Sequence, residues 1–332
     1  DSALAELCSL YAFEALKVCQ GQALSRTGQK ISNRFRKLAE TFQPKKTVSE
    51  ILAHVSEQWR PELNLVQACG PYLGMVLLGK SDPLELIFPK GDDSLARAIY
   101  RDSLNGNLMN WLAGQVVSQF AAKRGFLRIL EIGAGTGGTT SFVLPVLSRR
   151  SEKFTYHFTD LSSQLLKTSQ KRFESFGACM VFEKLDIESE AAEGEFDLIL
   201  AANVLHATKD MRRTMRHVYS LLAPGGVVVA PELTSPSPVE DITFGLTNGW
   251  WLFDDEDLRT EHPLLSVETW GTLLKETGFS EASFVGPSPK EWIVVVGQKT
   301  GKVELQTIVS CKRGNALARP SQFAWTADWS VQ

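Results

Sequence analysis

Glu131-Ile132-Gly133-Ala134-Gly135-Thr136-Gly137-Gly138 is the stretch on which the reading of this chain turns. It closes the apolar run 126–132 and opens a segment of helical length, so the glycines fall at a strand-to-helix turn. Glycine there lets the backbone turn tightly and approach a ligand with no Cβ in the way. Dinucleotide enzymes use similar loops, so the acids around the loop decide what it holds. Glu131 stands immediately before it, Asp160 ends the next apolar run (154–159), and Asp186 ends the one after (180–185). At the ends of those strands Asp160 can take both hydroxyls of a ribose and Asp186 can accept from an adenine amino group. Three carboxylates suit S-adenosylmethionine (SAM), a cation without phosphates, and would repel a pyrophosphate. The competing reading is a glycine turn with incidental acids beside it.

Further runs at 196–201 and 226–230 alternate with helix-length segments at 162–175 and 209–222. That alternation predicts right-handed βαβ units and a parallel sheet covered on both faces. The end differs: 281–285 and 291–297 flank Gly286-Pro287-Ser288-Pro289, which predicts a closing antiparallel hairpin. The expected fold is therefore α/β, with a Rossmann-like class I methyltransferase core over 93–300. Residues 1–92 read as an N-terminal helical subdomain, a lid or substrate wall. Ile31, Phe35, Leu38 and Phe42 line one helical face there. Ile51, Leu52, Val55 and Trp59 line another after Thr47 and Ser49, with Pro61 expected to stop the helix. Residues 301–332 read as a C-terminal linker toward a neighbouring domain, on which Trp325 and Trp329 are expected to dock.

The 332 residues are 43% hydrophobic and 22% charged with a net charge of −3, ordinary values for a soluble globular chain. That balance gives no reason to expect nucleic acid or a membrane as partner. The short basic cluster Arg212, Arg213, Arg216 and His217 reads as a solvated helix face. Cys8, Cys19, Cys69, Cys179 and Cys311 are odd in number and contain no C-x-x-C pair. Disulfide and zinc frameworks are thereby disfavoured, and no metal is expected. With no sequon, no signal-like segment and no bilayer-length apolar run, a cytoplasmic setting is expected. The start at Asp1, directly on an amphipathic pattern, fits a piece of a longer polypeptide or a processed chain.

The chemistry is expected at the carboxyl ends of strands four and five. Ala202-Asn203-Val204-Leu205-His206-Ala207 follows the fourth strand and Pro231-Glu232-Leu233 follows the fifth. Neighbouring strands lie roughly 4.8 Å apart, so His206 and Glu232 can meet above the ligand crevice. An imidazole held by a carboxylate is a well-suited general base near neutral pH; a satisfied structural histidine is the bland alternative. Glu232→Gln is expected to be milder than His206→Ala, because an amide can still accept from the imidazole N–H. Phe244, Trp250, Trp251 and Phe253 offer an apolar substrate wall, a cation–π surface for a sulfonium, or simple packing.

Tyr100-Arg101-Asp102, Asn110, LEIGAGTGGTT (130–140), ANVLHAT (202–208), LLAPGG (221–226), PEL (231–233) and FGLTNGWWLFDDEDLRTEHPLL (244–265), followed by Trp270 and TGFS (277–280), resemble the C-methyltransferase domains of polyketide synthases. The resemblance spans about residues 95–300. It implies methylation of the α-carbon of a β-ketoacyl thioester, with SAM as cofactor and an acyl carrier protein presenting the substrate on phosphopantetheine. Neighbouring synthase domains in the same polypeptide are implied as well. His206 would be the base, Glu232 its orienting partner, and the resulting enolate would attack the methyl group. Tyr100, Asn110, Glu131, Gly133, Gly135, Gly137, Asp160, Leu161, Asp186, Ile187 and Asn203 would surround the cofactor. Three alternatives stay open: an O-methyltransferase using the same pair, a non-catalytic methyltransferase-like domain, and a nicotinamide dehydrogenase. The last leaves Asp186 and the hairpin without a role.

Overall fold

A strand covered on both faces has no polar side to alternate, and Val227-Val228-Val229-Ala230 is a run of that kind. All four residues are buried at the centre of a sheet in this computed structural model, which describes residues 1–149, 153–189, 194–287 and 291–301. Among the described residues seven strands form one sheet: β1 (Leu127–Glu131), β2 (Phe154–Asp160), β3 (Met180–Lys184), β4 (Phe196–Leu200), β5 (Leu222–Leu233), β6 (Glu281–Val285) and β7 (Trp292–Gln298). Their order is β3-β2-β1-β4-β5-β7-β6. The first five run parallel, and β7 pairs antiparallel with both β5 and β6. The architecture is the expected α/β one, a Rossmann-like parallel sheet closed by an antiparallel hairpin. Ser288 and Pro289 of the hairpin turn lie outside the described residues, as do the linker positions 302–332 with Trp325 and Trp329.

The chain runs outward from β1 to β3 and then crosses back to place β4 on the other side of β1. The order reverses between β1 and β4, and a crevice opens there above the strand ends. Two apolar cores cover the two sheet faces. One includes Val117, Val143, Tyr156 and Val229; the other includes Ile199, Met215, Val228 and Trp270. A third core belongs to the helical N-terminus, and it also takes in Leu233, Ile242, Leu246, Trp250, Trp251, Phe253 and Leu264. The N-terminal helices thus share a core with the segment that follows β5. Arg34 and the nearly inaccessible Asp241 reinforce that contact with two N–H···O bonds of 2.9 Å.

Two local readings change. Pro61 does not stop a helix; it stands in the first turn of helix Arg60–Cys69, after the short helix Val48–Leu52 and the turn Glu57–Trp59. A first-turn proline loses nothing, because the N–H it lacks would have no intrahelical partner. Thr47 does act as a start signal, through a reciprocal capping box with Glu50. The second change is in β5, which continues to Leu233, so Glu232 belongs to the strand and not to the loop after it. The basic cluster is partly paired: Arg212 meets Asp257 and Glu276, and His217 Nδ1 lies 2.8 Å from the Ile187 carbonyl.

Candidate active site

The Gly133–Gly138 loop leaves β1 through three positive-φ glycines, Gly133 (58°), Gly135 (55°) and Gly137 (72°). At Gly133 a Cβ would collide with a Val204 methyl, so the loop after β4 can press against it only because it is glycine. At Gly137 a Cβ would collide with the Phe173 ring. Asp160, at the end of β2, holds the loop from the other side. One carboxylate oxygen accepts from Gly135 N at 2.9 Å and the other from Ser162 N at 2.7 Å.

A cavity of about 340 Å³ opens over this loop, within the range of small-molecule sites. Of the eleven residues expected around a cofactor, Tyr100, Asn110, Glu131, Gly133, Gly135, Asp160, Leu161, Asp186, Ile187 and Asn203 line it. Gly137 does not; its position packs the start of helix Gly138–Ser148 against Phe173. Among the described residues the lining carries the carboxylates of Glu131, Asp160, Asp186 and Glu188 and no Lys, Arg or His. That donor set fits a cation with ribose hydroxyls and is hostile to a pyrophosphate, so it suits SAM and disfavours a nicotinamide dinucleotide.

Several of these side chains are already engaged. Asn110 donates to the Tyr100 carbonyl at 2.7 Å and accepts from Thr139 at 2.7 Å, which fixes the wall between two helices. Glu131 is 1% exposed, and one of its oxygens accepts from both Thr140 and Tyr156. Burial pushes its carboxyl up to about 7, against the opposing effect of those two donors. Below about pH 4.5 the group is protonated in both folded and unfolded chains and costs nothing. As pH rises through 7 the unfolded chain ionises first, so stability falls by on the order of 3 kcal/mol across that window. Glu131→Gln should therefore flatten the melting temperature between pH 5 and 8 relative to the wild type. Parallel melting profiles for the two proteins would refute it.

His206 sits on the short 3-10 turn Leu205–Ala207 and is 7% exposed; Glu232, near the end of β5, is fully buried. They meet, with His206 Nδ1 2.6 Å from one Glu232 oxygen. The second oxygen accepts from Leu205 N at 3.2 Å. The Asn203 N–H, donated to the Pro231 carbonyl at 2.8 Å, ties the two strand ends together beside them. Asn203 itself takes a positive φ of 51°, a conformation in which asparagine is several-fold enriched. A carboxylate only accepts, so in the neutral imidazole Nδ1 carries the proton and Nε2 the lone pair. His206 and Glu232 do not line the cavity themselves; their chain neighbours Ala207, Thr208 and Pro231 do. The pair stands directly behind that wall, with the Trp250 ring edge-on to His206 at 5.4 Å.

The aromatic residues after β5 are occupied mainly with packing. Phe244 lies against Tyr100 at 5.4 Å, Trp251 donates to the Gly245 carbonyl at 2.8 Å, and Phe253 lies under the Arg259 guanidinium at 5.2 Å. None of the four lines the cavity. Tyr100 does, and burial raises its hydroxyl pKa, reinforced by the charges of Glu240 and Glu232. A phenol held protonated in this way is a donor and a poor base. Asp255 and Arg259 carry no sequence motif beyond an acid and a base four residues apart, and they form an ion pair. Both are buried, and they hold the loop that carries His206.

A family model described as a methyltransferase domain matches residues 130–228. The non-reducing polyketide synthase esdpA of Penicillium shearii is 37% identical over 238 residues, 69% of this chain and 11% of that protein. The chain spans about a tenth of the length of such curated relatives. The CurJ carbon methyltransferase is 30% identical and superposes with a TM-score of 0.82 over 90% of this chain and 92% of that one. The trans-methyltransferase CalH, solved in complex with SAH, is 25% identical with a TM-score of 0.72 over 90% of each chain. No described helix is long and apolar enough to cross a membrane. With this fold, an acid-lined cavity at its switch point and these relatives, the chain is a SAM-dependent C-methyltransferase, and it belongs to the C-methyltransferase domains of polyketide synthases.

Proposed function

We propose that this chain methylates the α-carbon of a β-ketoacyl thioester presented by an acyl carrier protein, with His206 as the general base and Glu232 as its orienting partner. The observation that carries the reading is the 2.6 Å contact between His206 Nδ1 and Glu232 directly behind a carboxylate-lined cavity. A carbon between a ketone and a thioester is acidic enough for an imidazole to deprotonate. Its proton passes to Nε2, and the C–H electron pair moves into the enolate. Glu232 then faces an imidazolium, whose charge it balances, and Leu205 N keeps the carboxylate in line. When bound, SAM supplies the electrophilic methyl group. Asp160 and Asp186 are the residues to hold its ribose and adenine, with Gly133 and Gly135 allowing close backbone approach. Residues 1–92, together with the segment after β5 that shares their core, would wall the substrate side.

Intact-mass analysis of carrier protein loaded with an acetoacetyl thioester and incubated with SAM tests the reading. A gain of one methyl on the thioester is expected, with the free β-keto acid reacting far more slowly because no thioester acidifies its α-carbon. Equal rates for the two substrates, or methylation confined to a hydroxylated acceptor, would overturn it.

A further inference from the structure

Arg259 has a side chain with 0% exposure and is among the largest fully buried residues of the protein. Its guanidinium donates to the carbonyls of His206 (2.8 Å), Thr208 (2.8 Å) and Lys209 (2.9 Å), and through Nε to Asp255 at 2.6 Å. The other Asp255 oxygen accepts from Met211 N at 2.9 Å, at the start of helix Met211–Leu221. Asp254 N adds a bond to the Lys209 carbonyl at 3.0 Å. One buried fork therefore gathers the carbonyls of the short loop that bears His206 and ties that loop to the helix after it.

A buried ion pair is a costly way to gain stability, since apolar residues of the same volume often serve as well or better. What the planar fork supplies is geometry: its donors lie in fixed directions, and a lysine ammonium cannot reproduce them. We infer that the Asp255–Arg259 pair is the positioning device of the catalytic histidine, setting the direction of His206 Nε2 toward the substrate by clamping the carbonyls of residues 206, 208 and 209. Glu232 fixes the ring at Nδ1, and Arg259 fixes the backbone from which the ring hangs. The inference rests on His206 being the base.

The test is Arg259→Lys, which keeps a positive charge beside Asp255 but cannot span the three carbonyls. A misplacement of the base by about 1 Å costs about a hundredfold in rate, so kcat is expected to fall about that far. The affinity for SAM, measured by calorimetry, should stay within about twofold, because Arg259 does not line the cofactor cavity. In the absence of SAM, exchange of the thioester α-proton with deuterated water should slow in step with kcat. A purely structural role would lower the melting temperature and leave exchange per folded molecule unchanged. Where Arg259→Lys does not fold, Asp255→Asn serves. Arg259 keeps its donors to the three carbonyls, but the charge that anchors the fork is removed and a single amide oxygen is left for two buried donors, Arg259 Nε and Met211 N, so a loss of exchange in the same direction is expected. Wild-type exchange in a folded variant, or kcat and SAM affinity falling together, overturns the inference. His206→Ala measured alongside separates two failures. If His206→Ala retains exchange, the base assignment itself is wrong; if it loses exchange while Arg259→Lys keeps it, only the role of Arg259 falls.

Discussion

His206→Ala is expected to lower methyl transfer to a β-ketoacyl thioester by a factor of about 10²–10⁴, the usual contribution of a positioned base. SAM affinity should hardly change, because the loss is confined to the transition state. SAM-independent exchange of the substrate α-proton should disappear with it. Glu232→Gln is expected from the sequence to be milder, since an amide still offers an acceptor. The second hydrogen bond of Glu232 changes that expectation. Its carboxylate accepts from two donors at once, Leu205 N and His206 Nδ1. An amide has one oxygen, and only one orientation leaves no buried donor facing another. In that orientation the oxygen takes the Leu205 N–H and the amide NH₂ points at Nδ1. The imidazole must then accept at Nδ1 and carry its proton on Nε2, where it cannot act as a base. Glu232→Gln should therefore approach His206→Ala in severity, and its melting temperature should drop little. A Glu232→Gln protein within about tenfold of wild type would mean that Nε2 still carries the lone pair, and this tautomer argument would be wrong.

That reversal shows what sequence reading reaches here and where it stops. The glycine loop, the acids after β2 and β3, and the histidine and glutamate at adjacent strand ends are spaced by the chain's own periodicity, so their approximate convergence follows from strand order alone. The apolar runs made the central strands legible, whereas β3 carries Glu183 and Lys184 and is half exposed. Which atom of Glu232 serves which donor depends on the backbone N–H of Leu205, directly before His206, and nothing in a residue pattern marks it. Glu131 is a similar case. As an acid before a glycine loop it reads as a cofactor ligand, yet one of its oxygens receives both Thr140 and Tyr156 in the interior. Pro61 misleads for a different reason, because proline is as good at opening a helix as at ending one. Asp255 and Arg259 stand in a stretch dominated by aromatic and acidic residues, where an acid and a base four residues apart have nothing to distinguish them from surface charge. The aromatic residues, meanwhile, serve packing more than the cavity: Phe253 covers Arg259, and Trp250 abuts His206.

Asp160→Ala should raise the dissociation constant for SAM about a hundredfold, and that for its demethylated product by the same factor. The estimate follows from losing charge-assisted bonds to the ribose hydroxyls, together worth about 3 kcal/mol. The structure adds a second source of loss. Both Asp160 oxygens also accept backbone N–H groups, from Gly135 and Ser162, so alanine releases the glycine loop at the point where it should meet the ligand. Asp160→Asn separates the two effects. Its single amide oxygen can hold either Gly135 or Ser162, so the loop is loosened while one acceptor remains, and an intermediate affinity is expected. Melting temperatures without ligand report the loop term, and calorimetric titration reports the sum. At saturating SAM, kcat for Asp160→Ala should remain within a fewfold of wild type, because the ribose is held alike before and during methyl transfer. The pattern is thus opposite to that of His206→Ala, in which kcat collapses and SAM affinity stays. An Asp160→Ala protein that binds SAM as tightly as wild type would remove Asp160 from the ribose site, and the carboxylates of Asp186 and Glu188 on the same cavity wall would become the candidates to test in its place.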